Sequence, residues 1–274
     1  MAESRAGLPG GAVLPVAVVQ LGVEDGEPER NLEHALSLMD ASPGAALYLL
    51  PELWTTGYAH ATWAQAADRA TPRIVPELAS ACDRLGAYIG GSMVTRNERG
   101  NLVNRFWLFS PTDSAPVVYD KAHLFAPMEE HRYLEAGGCR VRTPVRGFTA
   151  ALSVCFDLRF PEQYRLDAVA GAQLFLVVAE WPAQRAETMT LLARARAAEN
   201  QAFLVLCNRV GTGGDGTRFG GGSLVVSPGG QVLVEGGETE QVLRTDLDIR
   251  AVHQARSSLT VLECRRPGID FPAD

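Results

Sequence analysis

Short apolar runs of strand length alternate with longer segments whose apolar residues recur every three to four positions, and the alternation persists to about Cys207. Val16 to Leu21 reads as a strand. Glu27 to Met39 sets Leu32, Leu36 and Met39 on one face and predicts a helix, and Ala45 to Leu50 predicts the next strand. A second helix is expected over Thr71 to Leu85, where Ile74, Leu78, Cys82 and Leu85 share a face and make Cys82 a core residue. Strand-like runs follow at 88–94, 103–109, 116–119, Ala151–Phe156, Gln173–Ala179 and Ala202–Cys207, with an Ala- and Arg-rich helix from Arg185 to Asn200. Beyond them, Ser223 to Leu247 alternates strands with glycine turns. Strands and helices interleaved in this way describe an α/β layered fold.

Composition adds limits rather than a class. With 274 residues, 46% of them hydrophobic, the chain has enough apolar surface for a large core. No linker, repeat or low-complexity segment divides it, so one domain is expected over residues 14–274, behind a flexible tail 1–13. The apolar run Ala12 to Val19 behind Arg5 superficially resembles a secretory signal. Glu3, the glycines and Pro15 speak against one, and no small-residue cleavage site follows. No apolar stretch approaches the ~18 residues of a membrane span. A net charge of −7 without any basic run removes the footprint of nucleic-acid binding. Five cysteines, an odd number without a C-x-x-C pair, fit neither a disulfide scaffold nor a metal site and suit a reducing, cytoplasmic setting.

All but one of the 25 basic residues are arginine; the single lysine is Lys121. Arginine cannot substitute for a compact, titratable ammonium, which makes this position a candidate for chemistry. Lys121 also follows directly on a strand. In α/β sheets, ligands collect beyond the carboxyl ends of strands, and several apolar runs here end on polar side chains. Ala46–Leu50 leads into Pro51-Glu52, Val117–Tyr119 into Asp120-Lys121, and Ala151–Val154 into Cys155-Phe156-Asp157. Leu174–Ala179 and Phe203–Leu206 end at Glu180-Trp181 and Cys207-Asn208. One rim would therefore gather carboxylate, ammonium and thiol.

Taken singly, Cys155 reads as a small buried apolar side chain. Its place between a strand and the Pro161-Glu162 helix start instead suggests an exposed nucleophile whose pKa is lowered by helix-terminal amides. Such a thiol needs a base, and Glu52 competes for that role with His123, His131 and His253. The literal G-x-G-x-x-G at Gly211–Gly216 reads as a loop, because no helix follows it. Cys139, Cys207 and Cys264 read as structural or incidental.

Three blocks carry a resemblance: Leu50-Pro51-Glu52-Leu53-Trp54, Tyr119-Asp120-Lys121-Ala122-His123-Leu124-Phe125, and Val154-Cys155-Phe156-Asp157-Leu158-Arg159-Phe160-Pro161-Glu162. Supported by Arg196–Ala202 and Cys207–Gly211, they resemble the signature blocks of the nitrilase superfamily of carbon–nitrogen hydrolases over roughly residues 14–265. The resemblance implies a four-layer α-β-β-α sandwich and a cofactor-free, metal-free amidohydrolase. Cys155 would attack an amide carbon, Glu52 would act as general base, and Lys121 with the Phe156 amide would hold the oxyanion. Glu130 matches a second glutamate of the family, with Glu129 its neighbouring rival.

The Cys-Phe-Asp-Leu-Arg-Phe-Pro-Glu run is similar to the Nit and ω-amidase branch, whose substrates are small amides with a remote carboxylate. That resemblance makes Arg159 a candidate partner for the carboxylate, and Tyr58 and Trp181 candidate pocket walls. The branch commonly has Asn where this chain has Glu180, and a carboxylate there would repel an acidic substrate or bind an amine. Alternatives are an N-carbamoyl amino acid or amine hydrolase with the same triad, a nitrilase, and a non-catalytic binding protein on this fold. A homodimer or larger homo-oligomer is also implied.

Overall fold

The structure, a computed structural model, describes residues 13–270. Of the expected tail, residues 1–12 lie outside the described residues, and Val13 already belongs to the first strand. In chain order the elements begin with β1 (Val13–Gln20), α1 (Pro28–Asp40), β2 (Leu47–Leu49), α2 (His60–Gln65), α3 (Thr71–Leu85), β3 (Tyr88–Arg96), β4 (Leu102–Phe109) and β5 (Val117–Asp120). The second half holds β6 (Arg142–Val145), β7 (Phe148–Val154), α4 (Pro161–Val169), β8 (Leu174–Ala179), α5 (Ala186–Asn200) and β9 (Phe203–Asn208). There follow β10 (Val210–Thr212), β11 (Arg218–Gly220), β12 (Leu224–Val226), β13 (Val232–Glu235), β14 (Gln241–Asp248), α6 (Ile249–Ser258) and α7 (Pro267–Asp270).

Two six-stranded sheets form, ordered β14-β1-β2-β3-β4-β5 and β13-β12-β9-β8-β7-β6. Each has three parallel strands at its centre, β1-β2-β3 in one and β7-β8-β9 in the other, flanked by antiparallel partners. The two-residue period of the strands decides which side chain meets which layer. In β1, Leu14, Val16 and Val18 pack between the sheets with Leu47, Leu49, Leu152 and Leu176. The alternate residues Ala17 and Val19 face the other way, against Ala35 and Met39 of α1 and Ile74, Leu78 and Cys82 of α3. Behind the second sheet, Ala168 of α4 and Met189, Ala193 and Ala197 of α5 close the fourth layer.

The expected elements are recovered with small shifts. The strand ends at Val154 rather than Phe156, so Cys155 begins a 3-10 turn, Cys155–Arg159. The Gly211–Gly216 segment is the tip region of the β10-β11 hairpin rather than plain loop, although no helix follows it. Among the described residues no helix is long and apolar enough to cross a membrane.

Candidate active site

The carboxyl ends of the parallel strands of both sheets meet, because the Glu52 amide beyond β2 donates to the Ala179 carbonyl at the end of β8, 3.3 Å away. Lys121, one residue past β5, is brought beside them by its amide, which donates to the Asn104 carbonyl of β4 at 2.9 Å. From the far side Gly137 donates to the Lys121 carbonyl at 2.8 Å. A Cβ on Gly137 would stand 2.1 Å from the Asp120 carbonyl oxygen, so only glycine lets the chain pass this close.

The side chains of Glu52, Lys121 and Glu130 are completely buried. Lys121 Nζ donates to Glu52 Oε1 and to Glu130 Oε1, both at 2.8 Å. Asn104 Nδ2 donates to Glu52 Oε1 at 2.8 Å, and the Glu180 amide donates to Glu52 Oε2 at 2.9 Å. Glu130 also accepts from Tyr58 Oη at 2.8 Å and from the Phe125 amide at 2.5 Å. Its rival Glu129 is half-buried and pairs with Arg132. Between the two, only Glu130 joins the buried network.

Cys155 has φ of +45°, a left-handed conformation that is strained for a residue with a Cβ. Asp157 holds the turn that imposes it. This buried carboxylate accepts from the Val154 amide at 2.9 Å, Tyr119 Oη at 2.7 Å and the His123 amide at 3.0 Å, joining the nucleophile turn to the lysine segment. His123 is thereby accounted for. Its Nδ1 lies 2.8 Å from Asp157 and its ring stacks on Phe160, while His131 is exposed and His253 lies beside Gln173. The groups acting on the thiol are Glu52, Lys121 and the Glu180 backbone.

The electrostatics correct one expectation. Burial pushes the Cys155 thiol well above its ordinary value, and the Glu52 charge adds to this while Lys121 opposes it. Both effects outweigh any lowering by helix amides, so the resting group is a thiol. Glu52 is also raised, by burial first, against the pull of Lys121 and with a push from Glu130. Burial by itself lowers the Lys121 pKa, but Glu130 and then Glu52 overcome it and hold the ammonium protonated. The arrangement is a neutral thiol beside a carboxylate able to take its proton, with a fixed cation alongside.

Cys155 opens onto a narrow pocket lined by Phe125, Phe156, Arg159, Trp181, Pro182 and Arg185. The Arg159 guanidinium lies 5.0 Å from the Trp181 ring centre, and Trp181 Nε1 donates to the Arg185 carbonyl at 2.9 Å. Tyr58 lines a neighbouring outer cleft, its hydroxyl engaged by Glu130. Burial and the Glu130 charge raise its pKa, keeping it a neutral donor. Glu180 is not where sequence reasoning put it. Its carboxylate turns away from the pocket onto buried Arg209, which also pairs with Asp25 at 3.1 Å. A charge thus neutralised neither repels an acid nor recruits an amine.

Sequence reasoning missed Asn104 and Arg185, and it placed Asn208 at the rim and Arg209 in the Cys207–Gly211 block without a role for either. Asn104 left a trace as a polar residue within an apolar strand. Asn208 grips the Trp181 peptide, accepting from its amide at 2.7 Å and donating to its carbonyl at 3.2 Å. Arg209 left only its place in the Cys207–Gly211 block, since an arginine after a strand reads as solvated.

The carbon-nitrogen hydrolase family model matches residues 15–257. The chain is 32% identical over 249 residues to the 2-oxoglutaramate amidase of Bacillus subtilis (strain 168), spanning 90% of this chain and 96% of that protein. To the omega-amidase YafV of Escherichia coli (strain K12) it is 36% identical over 219 residues, spanning 80% and 83%. A solved CN-hydrolase superfamily protein of Xanthomonas campestris with an arsenic adduct in its active site superposes with a TM-score of 0.86. It is 33% identical, covering 93% of this chain and 97% of that one. The two helix-covered sheets are those of the nitrilase superfamily. The chain belongs to the carbon–nitrogen hydrolase family and is an amidohydrolase.

Proposed function

We propose that the protein hydrolyses small amides carrying a remote carboxylate, 2-oxo acid ω-amides such as 2-oxoglutaramate among them, through a thioester on Cys155. The observation that carries the reading is a buried Glu52–Lys121–Glu130 network beside a thiol that opens on an arginine-lined pocket. The relatives named 2-oxoglutaramate amidase and omega-amidase support the substrate class.

Each step follows from the placement of protons. Glu52 takes the Cys155 proton as sulfur bonds to the amide carbon. Negative charge then develops on the carbonyl oxygen. An ammonium has three donors, and Lys121 spends two on Glu52 and Glu130, so the third is free for this oxygen. The Phe156 amide, in the first turn of the 3-10 segment where no helical acceptor exists, is the second donor. One such donor contributes ~2.7–4 kcal/mol. Protonated Glu52 returns its proton to the leaving nitrogen, and the C–N bond breaks to release ammonia. The same carboxylate then deprotonates a water, which attacks the thioester; the carboxylic acid departs and sulfur regains its proton. Glu130 is a positioning residue that holds Lys121.

Arg159, stacked on Trp181, takes the substrate carboxylate. The reading includes a reducing cytoplasmic setting, supported by five unpaired cysteines. It also includes a homodimer or larger assembly, supported by the exposed apolar Val169 on α4 and Leu191 on α5. The test is ammonia release from 2-oxoglutaramate, succinamate, N-carbamoyl-β-alanine, N-carbamoylputrescine and an aliphatic nitrile, with Cys155→Ala as control. Cys155-dependent release from the first two is expected. Release confined to the carbamoyl compounds or the nitrile contradicts the reading.

A further inference from the structure

Arg185 lines the same pocket as Arg159 but rests on a different aromatic ring. The Arg159 guanidinium rests on Trp181, and that of Arg185 lies 5.7 Å from the centre of Phe125. Both side chains are half-buried and both line the pocket that reaches Cys155. Arg185 alone of the two also borders the outer cleft, a space of about 430 Å³ walled by Tyr58, His60, Met128 and Asp215.

Among the described residues neither guanidinium has a carboxylate within ion-pair distance, unlike Arg105, Arg142 and Arg209. The acids nearest the outer cleft are committed elsewhere. Glu129 pairs with Arg132, and Asp215 accepts from the amide and hydroxyl of Thr217. Two half-buried cations held on aromatic faces, without an anion between them, form an incomplete charge arrangement that an anionic ligand completes. Each also stands just ahead of a helix, α4 from Pro161 and α5 from Ala186, whose positive ends reinforce the field.

We infer that Arg185 is the second arm of a carboxylate clamp, closing on the acid end of the substrate from the cleft side while Arg159 holds it from the nucleophile side. The inference rests on the carboxylated-amide reading above and names the residue that enforces it. Two forks on one carboxylate set its distance from Cys155 as well as its charge, which selects amides of one length. Rigidity comes from backbone contacts that substitution of the side chain leaves in place. Trp181 Nε1 donates to the Arg185 carbonyl, and Pro182 forms a bridge to Phe219 of β11.

The experiment compares 2-oxoglutaramate and succinamate with neutral butyramide in wild type, Arg185→Met and Arg185→Lys, with melting temperature measured alongside. Arg185→Met is expected to raise KM for the two carboxylated amides by roughly 10- to 100-fold with kcat within a few-fold, leaving KM for butyramide unchanged. Arg185→Lys is expected to recover only part of the loss, since an ammonium lacks the planar fork. Unchanged KM for the carboxylated amides, or an equal rise for butyramide, overturns the inference while the parent reading stands. Wild-type enzyme that hydrolyses butyramide but neither carboxylated amide overturns both, a result seen before any residue is changed.

Discussion

Two buried cations, each shared between two carboxylates, lie in adjoining clusters of this fold. Lys121 bridges Glu52 and Glu130, and Arg209 bridges Glu180 and Asp25. Glu180 connects them, its amide donating to Glu52 and its carboxylate facing Arg209. The clusters look alike by charge but differ in what surrounds the cation. Arg209 also donates from Nε to the Val210 carbonyl at 3.4 Å and from Nη2 to the Val23 carbonyl at 2.7 Å and stacks on Phe219, so four of its five N–H donors are spent on protein groups. Lys121 instead stands beside a thiol and the carboxylate that can take its proton. Reactivity therefore follows from the neighbours of the buried cation, and carbonyls with an aromatic face make the second cluster structural.

The largest expected effects fall on the lysine cluster. Cys155→Ala should reduce ammonia release by at least about 10⁴-fold while the melting temperature stays within a few degrees, measured on the same preparation. Glu52→Gln removes the proton acceptor and should cost roughly 10²–10⁴ in kcat. Lys121→Arg keeps the charge but replaces a point donor by a planar fork that does not fit three partners. A loss of about 10²–10³ in kcat is expected, and near-normal turnover would end the oxyanion assignment.

The arginine cluster should respond in stability instead. Above pH 8, where the Glu180 carboxyl is ionised, Glu180→Gln removes one partner of a buried ion pair, for which about 3 kcal/mol of destabilisation in denaturant is expected. The kcat of the folded fraction should remain within about tenfold of wild type. Burial pushes the Glu180 carboxyl up to about 8, with Arg209 opposing. A carboxyl raised above its unfolded value stabilises the fold when protonated, and that contribution fades as pH rises from the ordinary glutamate range through about 8.

The smallest effect is a displacement of the pH profile. Glu52 must be ionised to accept a proton, and its raised pKa places the acid limb of kcat/KM above the ordinary glutamate range. Since the Glu130 charge contributes to that rise, Glu130→Gln should move the limb to lower pH. A limb that stays in place would show that Glu130 acts on Lys121 alone.

Much of this was legible in the sequence because strand periodicity and strand ends are local properties. The apolar runs ending at Glu52, Lys121 and Cys155 identified the rim, and the single lysine marked its own importance. The orientation of Glu180 was not legible, for it depends on Arg209, 29 residues later in the chain and folded onto it only through the pairing of β8 with β9. The direction of the Cys155 shift was missed for a related reason. Local helix amides are visible in sequence, whereas burial and the Glu52 charge are imposed by the meeting of two sheets. Arg185 escaped notice because an arginine at a helix start reads as solvated until Phe125 and Trp181 are seen around it.

The central claim, that the lysine cluster drives acyl transfer to Cys155, is tested most directly by rapid-quench mass spectrometry of the enzyme during turnover of 2-oxoglutaramate. The account predicts an acyl adduct confined to the peptide carrying Cys155, formed with a burst of ammonia and absent from Cys155→Ala. Ammonia release at an undiminished rate by Cys155→Ala, with no adduct on the wild-type enzyme, would contradict it.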